Sequence, residues 1–317
     1  MVTNRTGRTA TSARVAMGLW SAIVLAVGGC GAFATEIPFV DLSDRQVLPE
    51  TAPVEIEPLR MAVAAVLSPE GNIDNYAGLA DYLAELVGRP VELVQRRTYA
   101  EVNDLIAAGS VDLAFVCTSA YVDGTDRGDM ELLVVPEVNA ETVYYSSLIV
   151  PAASMADSLA DLEDKVFAFT DPMSHTGRVY PTYLLRQQLD EIPDDFFSSS
   201  FFTYSHDRAI EAVADGVADG AAVDSLVLDH ALARNPDLQE RVRVIHRSPP
   251  FGIPPVVVPT GLDTDLRLVL EKALLNLQAS TGGRAILAEI GVDRFVVGDD
   301  GDYAGVRELV EATGLGS

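Results

Sequence analysis

The chain has 317 residues, 48% hydrophobic and 22% charged, with 47 acidic against 22 basic side chains and a formal net charge of −25. That balance excludes a nucleic-acid-binding surface, because phosphate backbones require basic patches. With two cysteines, four histidines without metal-ligand spacing, and no HExxH, CxxC or GxSxG motif, enzyme chemistry is disfavoured and no metal or cofactor is expected.

Residues 1–14 carry Arg5, Arg8 and Arg14 and no acid, and an apolar stretch, Val15–Val27, runs into Gly28-Gly29-Cys30. The charge, the length and the small residues describe a signal peptide over residues 1–29, too short to span a bilayer. A cysteine after two small residues resembles a bacterial lipobox. Cys30 is then the lipidated first residue of an extracytoplasmic protein held at the membrane by its acyl chains. The alternative is an ordinary secretory signal with an incidental cysteine. Residues 30–57, rich in Pro and Glu, read as a flexible tether.

From Leu59 onward, short apolar runs alternate with amphipathic stretches. Strands are predicted at Leu59–Leu67, Val91–Gln95 and Val111–Val116, with helices at Tyr76–Val87 and Tyr99–Ala108 between them. This order indicates a parallel α/β sheet. Cys117, at the end of the third run, reads as a buried thiol without a disulfide partner. Strands follow at Tyr144–Val150 and Lys165–Thr170. A second α/β set has a helix at Tyr180–Leu189, a strand at Phe201–Thr203, a helix at Asp207–Val213 and a strand at Ala221–Val223. Arg247–Val258 interrupts the rhythm with four prolines, before helices at Leu266–Gln278 and Arg284–Glu289. The expected organisation is a first lobe over 58–152, a second over 153–247, and a return to the first over 248–317, with crossovers near 144–152 and 247–256.

Ligands on open α/β sheets sit beyond the carboxyl ends of strands, near helix N-termini. Several such corners can be named. Ser68–Asn72 follows the first strand. Thr98 and Glu101 form a capping box that stands Tyr99 at a helix mouth. Cys117-Thr118-Ser119 closes the third strand, and Ser205 would cap the helix that opens at His206. The heptad Asp171-Pro172-Met173-Ser174-His175-Thr176-Gly177 breaks a strand and opens a helix. Its hydroxyls and free N–H groups can point at one small oxyanion, and its glycine permits close backbone approach. The same heptad also reads as a plain turn with an N-cap. The acidic surface does not forbid an anionic ligand, since at about 0.15 M salt the Debye length is roughly 8 Å and donors in contact outweigh distant acids.

Taken in order, these corners resemble the periplasmic binding proteins of phosphate, phosphite and phosphonate importers, over roughly residues 58–295. The heptad matches the family pattern D-P-x-S-x-S/T-G with Pro181 shortly after. Further matches are the helix start at Tyr99, Val111–Ser119, the crossover at Tyr144–Val150, the Ser205-His206 pair, Ala218–Asp224 and the proline-rich return strand. The resemblance implies an α/β, two-lobed type II periplasmic-binding-protein fold, each lobe a mixed, mainly parallel sheet flanked by helices, joined by a two-strand hinge. It implies a solute-binding protein that captures an oxyanion by hinge closure and hands it, as a monomer, to the permease of an ABC importer. Carried over by position, Ser174, His175 and Thr176 give N–H and hydroxyl bonds, with His175 contributing its N–H. His206 donates to another oxygen, Tyr99 donates from the opposite lobe and Tyr144 from the hinge. Thr118, Ser119 and Asp224 complete the expected contacts. Members that hold aminoethylphosphonate use acids at the places of Leu226 and Ile253, so their absence implies a compact ligand without an amine, such as phosphite, phosphate or methylphosphonate.

Two further readings stand beside this one. Adjacent phenols at Tyr144-Tyr145 suggest a ferric-ion binding protein of the same superfamily, and a closed lobe pair can equally serve as a sensory ligand-binding module.

Overall fold

The period-two burial of the apolar runs builds two sheets, each with a core on both faces. A computed structural model describes residues 57–66 and 69–315, the side chains of 69–74 excepted. The expected signal peptide, Cys30 and most of the tether lie outside the described residues, as do the side chains of the Ser68–Asn72 corner. The described residues belong to one compact unit.

In chain order the strands are β1 (Leu59–Val63), β2 (Val91–Gln95), β3 (Leu113–Phe115), β4 (Met130–Glu137), β5 (Val143–Tyr144), β6 (Ser146–Pro151), β7 (Val166–Phe169), β8 (Ser199–Phe202), β9 (Gly220–Asp224), β10 (Val242–Arg247), β11 (Phe251–Gly252), β12 (Val256–Pro259) and β13 (Arg294–Val296). The helices are α1 (Pro69–Val87), α2 (Tyr99–Ala107), α3 (Thr118–Asp126), α4 (Tyr180–Leu189), α5 (Pro193–Phe196), α6 (His206–Ala214), α7 (Ser225–Arg234), α8 (Thr264–Leu275), α9 (Thr281–Glu289) and α10 (Ala304–Thr313). One lobe is a six-stranded sheet in the order β13-β4-β12-β3-β1-β2, and the other a five-stranded sheet in the order β10-β6-β9-β7-β8. Each sheet is mixed. Strands β1, β2 and β3 are parallel, as are β7, β8 and β9, whereas β12, β13, β6 and β10 pair antiparallel.

Alternation explains the double cores. Leu59 and Met61 of β1 pack on one face with Leu113 and Val134, while Ala62 faces Val102, Ile106 and Ala114 on the other. In the second sheet Phe167 and Phe169 pack with Leu148, Val150 and Phe197, and Ala168 joins Ile149, Ala221 and Val223 behind.

The lobes are joined by two chain passages. Strand β5 pairs antiparallel with β11, Tyr144 opposite Phe251 and Val143 opposite Gly252. Two residues later β6 bonds to β9 and β10, so the chain has entered the second sheet by Ser146, earlier than the expected boundary at 152. Helix α10 packs on α3 of one lobe and α4 of the other. Its Val306 lies in a core cluster of the first lobe, and Leu309 packs against the core of the second.

Gly177 shows how tightly the heptad closes on its strand. A Cβ there would collide with the Thr170 side chain at the end of β7. The glycine thus lets the turn pack on its own sheet, whereas the sequence suggested approach to a ligand. Overpacking of this kind costs about 1–3 kcal/mol. Gly177→Ala should therefore lower urea-unfolding stability by that amount, with partial recovery in the double variant with Thr170→Ala. A loss below about 0.5 kcal/mol would mean that the turn can shift freely.

Candidate functional site

Most of the candidate side chains stand where a strand ends and a helix begins, whereas Tyr144 lies on β5 ahead of β6. The capping box expected before α2 is present: the Thr98 hydroxyl accepts the Glu101 N–H at 3.3 Å, and the Glu101 carboxylate accepts the Thr98 N–H at 3.0 Å. This fixes Tyr99 as the first helical residue, fully buried. In the second lobe the Asp171 carboxylate accepts the Met173 N–H at 2.8 Å, and the Ser174 hydroxyl accepts the Gly177 N–H at 3.0 Å. A π turn over His175–Val179 then leads into α4. Ser174 is therefore an N-cap, and its hydroxyl proton is still free to donate to a second group.

Several contacts cross between the lobes. Asp171 also accepts the backbone N–H of Tyr99 at 3.2 Å. The His206 N–H donates to the Val66 carbonyl at 2.9 Å. The Ser119 hydroxyl and His175 Nδ1 share a hydrogen bond of 3.1 Å, and the Arg97 guanidinium lies 4.4 Å from the centre of the Tyr204 ring. Within the second lobe the Asp224 N–H donates to His206 Nδ1 at 2.9 Å. That bond leaves Nδ1 without a proton and places the proton on Nε2, which lies 3.5 Å from Ser174 Oγ. Tyr99, Ser119, Ser174, His175, His206 and Asp224 are thus linked across the interlobe junction, and the Tyr144 ring lies 6.5 Å from that of His175.

Buried polar atoms without a partner concentrate at this junction: the hydroxyls of Tyr99, Tyr144, Thr170, Thr176 and Ser205, and His175 Nε2. An unmet buried polar group costs about 1–3 kcal/mol, so a polar ligand that met several at once would gain from each. The protonation states suit an acceptor-rich partner. Burial raises Tyr99 and Tyr144 well above the ordinary phenol value, so both keep their protons and can donate. Burial pushes His175 and His206 down to about 3, leaving both rings neutral. Cys117 is a buried free thiol pushed up to about 12 by burial.

Two sequence-derived residues have other employment. The Thr118 hydroxyl donates to the Gly252 carbonyl at 3.0 Å, tying α3 to the return strand, and so does not present that proton to a ligand. Asp224 caps α7, its Oδ1 accepting the Leu226 N–H at 2.7 Å. Ser205 precedes α6 with cap geometry but makes no side-chain cap bond, so its expected capping role is not realised. Sequence reasoning missed the bridging roles of Asp171, the Val66 carbonyl and Arg97. Only Asp171 carried a signal, as an acid placed directly after a buried strand.

A family model described as "ABC transporter, phosphonate, periplasmic substrate-binding protein" matches residues 61–303. The chain belongs to this family. It is 30% identical over 192 residues to the phosphate-import protein PhnD of Mycolicibacterium smegmatis, an overlap of 56% of this chain and 60% of that one. It spans about 60% of the length of the curated relatives it matches. Among solved structures, this phosphonate-binding family member is similar to a binding protein component of an ABC phosphonate transporter from Pseudomonas aeruginosa, with a TM-score of 0.76 and 21% identity over 81% of this chain and 87% of that one. It is likewise similar to PhnD1 from Prochlorococcus marinus in complex with methylphosphonate, with a TM-score of 0.73 and 18% identity over 81% of this chain and 98% of that one. At these identities the likeness establishes the two-lobed fold of the periplasmic binding proteins.

Asp224 offers a test of the buried junction. Burial lifts its carboxyl from 3.8 to about 7, against the lowering effect of the Leu226 and Val227 N–H groups. The native state then binds more protons than the unfolded chain between those values. The stability contributed by protonated Asp224 is full below about pH 4 and lost as the pH rises toward about 7. An amide can still accept the Leu226 N–H, so Asp224→Asn should stabilise the protein relative to its parent progressively across that window, by on the order of 4 kcal/mol at most. A constant offset in melting temperature across the window would show that Asp224 does not titrate there.

Proposed function

We propose that this chain is the extracytoplasmic solute-binding component of an ABC importer. It captures a phosphorus oxyanion (phosphite, phosphate or a simple phosphonate) between its lobes by hinge closure, and passes it to permease subunits. The carrying observation is the cluster of buried, neutral donors without partners: the phenols of Tyr99 and Tyr144 and the Thr176 hydroxyl, beside the protonated Nε2 of His206. A tetrahedral oxyanion accepts from several directions at once, and donors held on both lobes favour the closed arrangement. Bonds to a charged acceptor contribute about 1.5–3 kcal/mol each, so a handful supports micromolar or tighter binding after ordering costs. The phosphate import named for the Mycolicibacterium relative and the methylphosphonate held by the Prochlorococcus protein support the same ligand class.

In this reading Ser174, Thr176, His206, Tyr99 and Tyr144 contact the oxyanion. Ser119, His175 and Asp224 hold the donors in place, and Cys30 carries a lipid that keeps the monomeric protein at the membrane. A Cys30→Ala variant should move from the membrane fraction to the soluble extracytoplasmic fraction, and membrane retention of the variant would rule out the anchor.

Titration calorimetry and thermal shift with phosphite, phosphate and methylphosphonate test the pocket. Ser174→Ala and His206→Ala should each weaken binding roughly 10–150-fold, beyond any change in the ligand-free melting temperature. If neither variant weakens the ligand response, the oxyanion is held elsewhere.

A further inference from the structure

Next to the residues that hold the donors lies space far larger than an oxyanion requires. It is a cavity of about 300 Å³ walled mainly by Val63, Phe115, Val138, Leu226, Ile253 and Phe295, with Val66 and Asp224 on its donor side. Three of the donors, His206, Tyr144 and Tyr99, are tied to this wall. The Val66 carbonyl, which holds the His206 N–H, belongs to a lining residue, and so does Asp224, whose N–H fixes the His206 tautomer. The Tyr144 ring packs in one cluster with Ile253 and Leu226, and Tyr99 packs with Ala64 and Val66.

We propose that this cavity receives the substituent of the ligand and that the substituent is apolar, so that the solute is a phosphonate or phosphate monoester bearing an alkyl or aryl group. The inference rests on the oxyanion reading above and extends it to the rest of the molecule bound. Its charge pattern fixes the ligand's direction. No lysine or arginine is among the described lining residues, and the charged groups present, Asp224, Asp229 and Glu289, are acids. An anionic head therefore cannot sit in the cavity and must face the donors, leaving the cavity to the other end. Asp229 and Glu289 are exposed, where water solvates them, while Leu226 and Ile253 stand beside the donors. An ammonium group there would lose its hydration without gaining a carboxylate from either position, and the Asp224 carboxyl in the lining is already engaged by the Leu226 and Val227 N–H groups.

The volume agrees with a substantial tail. An apolar cavity of about 150 Å³ holds a benzene ring, so roughly twice that space admits an aryl group or a short alkyl chain with room to spare. A bare phosphite would leave these walls unused. The compact ligand inferred from the sequence took account of the missing acids but not of the space beside them.

A ligand series on the intact mature protein decides the matter by calorimetry: phosphite, then methyl-, propyl-, butyl- and phenylphosphonate, with butyl phosphate and aminoethylphosphonate alongside. Affinity should rise about fourfold per methylene up to butyl, with phenylphosphonate also above methylphosphonate. Propylphosphonate should bind more tightly than aminoethylphosphonate, which has the same number of heavy atoms. Butyl phosphate against butylphosphonate tells an ester from a phosphonate as the preferred form. Leu226→Trp, filling the cavity from the partly exposed first turn of α7, should weaken butyl and phenyl ligands at least 10-fold while leaving phosphite within about threefold. The ligand-free melting temperature serves as the check on folding. A flat or falling series, or preference for aminoethylphosphonate over propylphosphonate, overturns this inference while leaving the oxyanion site standing, provided Ser174→Ala still weakens methylphosphonate. Failure of every phosphorus ligand to bind overturns both.

Discussion

The carboxylate of Asp171, reaching from one lobe to the backbone N–H of Tyr99 on the other, sets the position of everything else at the junction. It stands at the N-terminus of α2, where the helix dipole favours a negative charge. The same side chain shapes the turn that carries Ser174, His175 and Thr176. A second contact, this one between main-chain groups of His206 and Val66, repeats the arrangement in the opposite sense, a helix start of the second lobe meeting a strand end of the first. The main-chain groups of this second contact cannot swing away as a side chain can. With both contacts made, the donors they carry are fixed relative to one another.

Neutrality is the companion constraint. Two imidazoles, two phenols and several hydroxyls gather within the fold, and Arg97, which reaches across the junction, lies over the Tyr204 ring. Burial keeps the phenols protonated and the rings uncharged, so the site is built of oriented dipoles. Behind it, the β5–β11 pairing and helix α10 span both lobes. The cleft is thus backed by a two-strand ribbon and by a helix whose apolar face is shared between two cores.

Much of this was legible in the sequence because it is local. The Thr98–Glu101 box, the strand before the heptad and the helix starts at Tyr99 and His206 depend on neighbours a few residues apart. What escaped is long-range or lacks periodicity. Helix α3 is the sequence TSAYVDGTD, with little apolar patterning, and it buries Thr118 and Ser119 as well as Tyr121 and Val122. Strand β6 looked like the end of the first lobe because nothing in its own residues says that Asp224 will lie opposite Ser146. The hydroxyl of Thr118 goes to Gly252, a partner 134 residues away. Leu226 and Ile253 were visible as departures from a family pattern. That they line one cavity could be seen only once α7 and the return strand were brought together.

The acidity of the chain as a whole has a kinetic consequence. A chain with a net charge of −25 does not draw anions inward from solution by its overall field. In the proposed reading, encounter with an oxyanion is therefore unassisted by that field and gains little from lowering the salt. Discrimination must then lie in residence time, in how slowly a solute leaves once short-range donors and apolar walls have closed on it. A receptor of this kind trades speed of capture for tenacity.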